Sequence, residues 1–333
     1  MEELDEPPDE SHRIGNTILI RSRNLESLLS CKRLYLKFEG SNPTGTQKDR
    51  ASYACLKLAK EMGYSSLAIA TCGNFGASFA YFAPKFGVKA HVYIPANYKT
   101  ERIQEIVDNG SIIHRVQGTY EDAVYLSGVE AKDLGWFNAN PGEELNTRAS
   151  ILGYSKIAYE IYESLGYIPD VVSVPVGNGT TLAGVYHGFK TLYDEGIADK
   201  IPRMIGVSTP LGNPVVKSFL KGLRTVEDLS PTEIKETSLN EPLVSWHSFD
   251  GSLALDALWE SNGWATYVSD AQMVEYAKMI AREEGISTLP ASASSLAAIS
   301  KYVKLHKDKE SSYVAVLTAG NPRFFKREDK KRG

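Results

Sequence analysis

The chain has 333 residues, 42% of them hydrophobic and 23% charged, with a formal net charge of −4. That length suits one large or two medium domains with substantial cores. The near-neutral balance excludes a nucleic-acid partner, and no apolar run reaches the roughly 18–20 residues needed to cross a bilayer.

The N-terminal stretch "MEELDEPPDESHR" is acidic and proline-bearing, unlike a signal or transit peptide, and residues 1–13 are expected to be disordered. Cys31, Cys55 and Cys72 form no CxxC or Cys/His cluster, so no metal is expected. An odd cysteine count without a secretory signal fits the cytoplasm.

From Leu34 onward, short apolar runs alternate with helical patterns. "RLYLKF" is a strand candidate, followed by "EGSNPTGTQKDR" and the helical "ASYACLKLAKEMG". "SLAIAT" (66–71) leads through a glycine-bearing turn into "ASFAYFAPKFG". "AHVYIP" (90–95) precedes "KTERIQEIVDNG", a helix closed by Gly110. "SIIHRVQG" precedes "TYEDAVYLSGVEAKDLG", with Thr119 as N-cap. "VVSVPV" (171–176), "RMIGVS" (203–208) and "YVAVLTA" (313–319) repeat the strand theme. Continuous apolar strands alternating with helices predict parallel or mixed sheets covered on both faces, and so two three-layer α/β domains sharing a crevice.

Ligands of such sheets bind at the carboxyl ends of strands, where loops meet helix N-termini. Four loops fall there: "GSNPTGTQKDR", "TCGNFGAS", "VGNGTTLAG" and "TAGNPR". In "PVGNGTTLAG" the glycines admit close backbone approach to an anion and Thr180 and Thr181 add hydroxyls, but the spacing is neither a P-loop nor a dinucleotide fingerprint. Alone it suits a phosphate site and a tight strand–helix turn equally. Lys48 at a helix N-terminus reads first as a surface charge. Partly desolvated, it would have the lowered pKa that Schiff-base chemistry requires.

"EGSNPTGTQKDR" resembles the lysine motif of the fold-type II pyridoxal-phosphate enzymes (the tryptophan synthase β-like superfamily), and threonine synthase most closely. "TCGNFGAS", "PVGNGTTLAG", "LPASASSLAAI" (289–299) and "VLTAGNPR" are similar to further segments of that family, in the same order, from about residue 33 to 323. The resemblance implies pyridoxal 5′-phosphate as cofactor, joined to Lys48 as a Schiff base, with Lys48 also shuttling protons. It implies that Asn74 binds the ring hydroxyl, that Gly177, Asn178, Gly179, Thr180 and Thr181 hold the phosphate, and that Thr318 faces the pyridine nitrogen. A neutral hydroxyl there suits elimination and replacement better than transamination. Thr71, Cys72 and Gly73 would bind the amino-acid carboxylate. Asn140, Lys156, Ser292 and Arg323 are further substrate candidates, although Ser292 equally suits packing, Cys72 reads first as a packing residue and Arg323 reads first as a surface residue.

The sequence departs from the family at Gln47, where phenylalanine is usual, and at Leu152 in place of an acidic residue. Ser150 stands where an arginine is expected, with Arg148 two positions away. "TAGNPR" departs as well. These positions bear on the substrate's leaving group. The implied reaction is that of a lyase of amino-acid biosynthesis, O-phospho-L-homoserine and water giving L-threonine and phosphate. The alternatives are a β-replacement or β-elimination enzyme, such as a cysteate or cysteine synthase or a serine/threonine dehydratase, and a non-catalytic amino-acid-binding relative. The resemblance also implies a homodimer, with residues 14–51 plus 161–333 forming a large cofactor-binding domain and residues 52–160 a small mobile one.

Overall fold

The structure, a computed structural model, describes residues 13–71, 73–98 and 102–321. The acidic N-terminus expected to be disordered lies outside them except for Arg13, as does the basic C-terminal tail.

Two sheets organise the chain. The larger contains β1 (Ile18–Arg21), β2 (Leu34–Phe38), β7 (Val171–Pro175), β8 (Arg203–Ser208), β9 (Trp264–Tyr267) and β10 (Tyr313–Leu317), in the order β1-β2-β10-β7-β8-β9. Only β1 runs antiparallel to its neighbour; the other pairings are parallel. The smaller sheet, β5-β4-β3-β6, is wholly parallel and comprises β3 (Ser66–Ala70), β4 (Lys89–Pro95), β5 (Ile112–Val116) and β6 (Phe137–Asn138). The α/β architecture expected from the apolar runs is therefore present. The short strands β6 and β9 carry too little pattern to announce themselves in the sequence.

Both sheets are buried on both faces, which explains why their strands are apolar without alternation. In β10, Tyr313, Ala315 and Leu317 enter one core, while Val314 and Val316 enter the other. The first core lies under α1 (Arg23–Leu29), α10 (Asp270–Glu284) and α11 (Pro290–His306). The second lies under α6 (Glu144–Leu165), α7 (Thr180–Asp194) and α9 (Gly251–Glu260). In the smaller sheet Leu67 and Ile69 face one core and Ala68 and Ala70 another. The first is covered by α2 (Lys48–Glu61) and α3 (Asn74–Phe82), and the second by α5 (Tyr120–Leu134).

Thr119 caps α5 in a full capping box with Asp122. The next helix upstream, α4 (Ile103–Asp108), ends two residues before Gly110, whose φ of +79° turns the chain away. Helix α6 passes through residue 160, the expected domain boundary. Its first two turns pack Leu145 and Ala149 against the small-sheet core, and Tyr154, Ile157 and Ile161 join the large-sheet core.

Candidate active site

The loop after β2 turns at Gly45, where φ is +80°, and delivers Lys48 as the first residue of α2. Its shape is set by neighbours. Asp49 accepts hydrogen bonds from the Thr44 amide (2.7 Å) and the Ser78 hydroxyl (2.6 Å). The Gln47 amide donates to the Thr318 carbonyl at 2.9 Å, and the Gly320 amide to the Gly45 carbonyl at 2.9 Å, stitching the loop to the end of β10.

Behind the loop, Arg50 is buried between two carboxylates. Its Nε and Nη2 reach Glu39 at 2.6 and 2.9 Å, and its Nη1 and Nη2 reach Glu160 at 2.6 and 2.7 Å. Lys37 Nζ adds a third contact to Glu160 at 2.6 Å. Burial alone would raise the Glu160 carboxyl, but the hydrogen bonds and charges of Arg50 and Lys37 outweigh it and hold the group down to about 2. The acidic and basic residues flanking Lys48 are thus structural, and they fix the direction in which α2 starts.

Lys48 opens into a cavity of about 520 Å³ between the two sheets. The carboxyl ends of β2, β3, β7 and β10 all feed it: Lys48, Thr71, Gly73, Asn74, residues 177–181 and Thr318 line one space. Phe75 places its ring centroid 4.7 Å from Lys48 Nζ, and Tyr154 lies at 5.9 Å on another side. Burial pushes the lysine down to about 8, against the opposing pull of Asp250 and Glu241. A lysine ordinarily near 10.5 is therefore partly uncharged at neutral pH, as a nucleophilic amine must be.

The loop after β7 is a cradle. A Cβ on Gly177 would come within 2.6 Å of the Pro242 carbonyl oxygen, and one on Gly179 within 2.7 Å of Ala254 Cβ. Gly179 also holds φ at +95°. The loop's carbonyls are tied back, with Asn213 Nδ2 donating to Gly177 O at 2.9 Å and Ser248 Oγ to Asn178 O at 3.0 Å. The amides at the start of α7 have no intrahelical acceptors and form an anion seat. Thr180 Oγ1 donates to Asp250 Oδ2 at 2.6 Å, so Thr180 braces the loop through Asp250, which also accepts from Thr147 Oγ1 at 2.7 Å.

Two further groups suit a bound aromatic cofactor. Asn74 Oδ1 accepts from Arg102 Nη1 at 2.8 Å, leaving the Asn74 amide NH₂ as a donor. The buried Tyr154 hydroxyl, beside Thr181, has no hydrogen-bond partner among the described residues. An orphaned buried hydroxyl next to a glycine cradle and a lysine with a lowered pKa fits pyridoxal phosphate. Thr318 Oγ1 shares a 2.8 Å hydrogen bond with Ser292 Oγ, and both side chains line the cavity.

Two of the expected substrate residues, Asn140 and Lys156, stand elsewhere. Asn140 is buried outside the cavity, with Oδ1 accepting from the Ala70 amide at 2.8 Å and Nδ2 donating to Ser127 and Asn138 at 2.9 and 2.6 Å. It pins the end of β3. Lys156 is exposed, because Asn146, Ser150 and Tyr154 form the cavity-facing stripe of α6 and Lys156 lies on the opposite side. Arg148 lines a separate outer cleft with His187. Ser294 donates to Ala291 O within α11 and does not line the cavity. Cys72 and Arg323 lie outside the described residues.

Sequence reasoning missed Asp250, Glu241 and Trp246, all on the irregular segment between α8 (Pro214–Leu220) and α9, and all in the cavity wall. No periodicity marks that segment. It also missed Arg102, whose partners Asn74 and Thr44 are far away in sequence.

The family described as pyridoxal-phosphate dependent enzyme matches residues 10–320. The threonine synthase of Methanocaldococcus jannaschii is 32% identical over 309 residues, covering 92% of this chain and 74% of that protein. The threonine synthase of Mycobacterium tuberculosis is 30% identical, covering 92% and 81%. Among solved structures, the processed form of threonine deaminase isoform 2 from Solanum lycopersicum superposes with a TM-score of 0.76 at 19% identity, covering 94% of this chain and 86% of that one. Maize serine racemase superposes with 0.76 at 20% identity, covering 96% and 94%. Fold, cradle and lysine define a fold-type II α/β enzyme. The chain belongs to the pyridoxal-phosphate dependent enzymes, with that cofactor.

Proposed function

We propose that this enzyme is threonine synthase-like, releasing phosphate from O-phospho-L-homoserine and adding water to give L-threonine. Lys48 carries the reading: an amine with a lowered pKa at the start of α2, lining one cavity with a glycine cradle. The curated relatives at about 30% identity over most of the chain support the substrate.

Bound pyridoxal phosphate supplies an electron sink for the carbanion at Cα. The chain's own residues do the rest. Lys48 would hold the cofactor and would move protons at the substrate carbons. The amides of residues 177–181 seat the cofactor phosphate, with Thr180 and Asp250 fixing the loop. Asn74, oriented by Arg102, donates toward the ring hydroxyl. Thr318 would meet the ring nitrogen with a neutral hydroxyl, which would leave the sink weak enough to favour elimination. The amides following Thr71 receive the substrate carboxylate, and Phe75 and Tyr154 shield the amine from water. Closure of the β3–β6 unit over the larger sheet is part of this proposal, as is a homodimeric assembly in the cytoplasm.

Phosphate release from O-phospho-L-homoserine by the cofactor-loaded protein, with L-threonine appearing in equal amount, is the expected result. Formation of 2-oxobutyrate from L-threonine or pyruvate from L-serine, without phosphate release from O-phospho-L-homoserine, would replace the reading with a dehydratase.

A further inference from the structure

The cavity wall beside the glycine cradle, where the Pro242 carbonyl meets Gly177, holds a carboxyl that the assignments above leave unused. Glu241 lies in a short turn at 241–243 and lines the same cavity as Lys48. The groups acting on it come from three directions. Tyr98, after β4, hydrogen-bonds to it; Glu236, earlier in its own segment, repels it; and Lys48, on α2, attracts it. Glu236 in turn feels Glu121 of α5 across the mouth.

Burial, reinforced by Glu236, raises the Glu241 carboxyl to about 7 even with the Lys48 cation present. A neutral carboxylic acid donates a hydrogen bond where a carboxylate only accepts.

We propose that Glu241, carrying its proton, is the donor that grips the oxygen of the substrate's departing side-chain group. Ionised, the same residue would repel an anionic leaving group with Glu236 behind it. The wall therefore selects substrates with an oxygen-bearing acceptor beyond Cβ and rejects them as Glu241 loses its proton. The inference rests on the amino-acid lyase reading and names a specificity residue for it.

The test is calorimetric binding of unreactive ligands to the cofactor-loaded wild type, Glu241→Gln and Glu241→Leu. The probes are L-2-amino-5-phosphonopentanoate, L-homoserine and L-ornithine, at pH 6, 7 and 8. One pH unit above the midpoint leaves about a tenth of the carboxyl protonated, so affinity of the wild type for the first two probes should fall by about tenfold relative to Glu241→Gln. Glu241→Gln keeps a donor and should bind at every pH; Glu241→Leu should bind poorly throughout. L-ornithine, a cation across this range, should bind wild type more tightly as pH rises; equal pH profiles for wild type and Glu241→Gln would overturn the proposal, as would L-ornithine binding to wild type that does not tighten with pH. Should the protein fail to release phosphate from O-phospho-L-homoserine while L-homoserine binding keeps the Glu241-dependent profile, the threonine synthase reading falls and this inference stands. Phosphonate binding without that profile, together with phosphate release, gives the reverse.

Discussion

Arg50 Nη1 stands 2.6 Å from Glu160 Oε1, joining residues 110 positions apart and tying the helix that carries Lys48 to helix α6. The guanidinium also grips Glu39 at the end of β2, so one buried cation fixes both ends of the lysine loop. Removing one partner of such a cluster leaves uncompensated buried charge. Arg50→Ala should therefore cost roughly 3–5 kcal/mol in urea unfolding. The pH sign follows from Glu160. Its folded value of about 2 lies below the ordinary 4.5, so its contribution is complete above 4.5 and is lost as pH falls from there toward 2. Wild type should lose stability across that window more steeply than Glu160→Gln, by the same measurement.

Lys48→Ala should abolish turnover and remove the absorbance of cofactor bound through the lysine, with circular dichroism unchanged. In the wild type, the rate of cofactor capture should follow the neutral amine. With a value near 8, that fraction rises about tenfold from pH 7 to 9 and then levels off. Stopped-flow absorbance reads the rate; a rise continuing unabated to pH 10 would mean an unperturbed lysine.

Gly179→Ala places a methyl group 2.7 Å from Ala254 Cβ and asks alanine to hold φ at +95°. Cofactor titration should show affinity weakened by at least tenfold, equivalent to about 1.4 kcal/mol. Gly196, on the surface with open space around its Cβ position, is the control: Gly196→Ala should leave cofactor affinity intact.

Asn140→Ala separates a binding role from a positioning one. The substitution strands the Ala70 amide and the partners of Nδ2 inside the protein, which should cost about 1–3 kcal/mol of stability. KM for the amino-acid substrate should move little at temperatures where the variant is folded; a large KM effect with unchanged stability would restore Asn140 to the substrate site.

Much of the fold was legible because a strand buried on both faces must be largely apolar, and β2, β3, β4, β7, β8 and β10 are. The cavity's strand-end residues were legible for a related reason. Glycines at 177 and 179, a lysine at a helix start and hydroxyls beside them are local solutions to an anion seat and a nucleophile, written in a few consecutive letters. Asn140 and Lys156 misled because matching a segment by spacing does not say which helix face or strand end a residue occupies. On α6, four positions decide whether a side chain meets the cavity, as Ser150 and Tyr154 do, or water, as Leu152 and Lys156 do.

The sequence by itself determined the alternating elements, the glycine cradle and the lysine turn, since each depends on neighbours within a few residues. Only the tertiary structure decided what surrounds them. Arg102 meets Asn74, Asp250 meets Thr180, and Glu241 faces Lys48, because long-range packing desolvates those groups and brings their charges within reach of one another. Charge and burial in that cavity are properties of the assembled wall, and no short segment of the chain contains them.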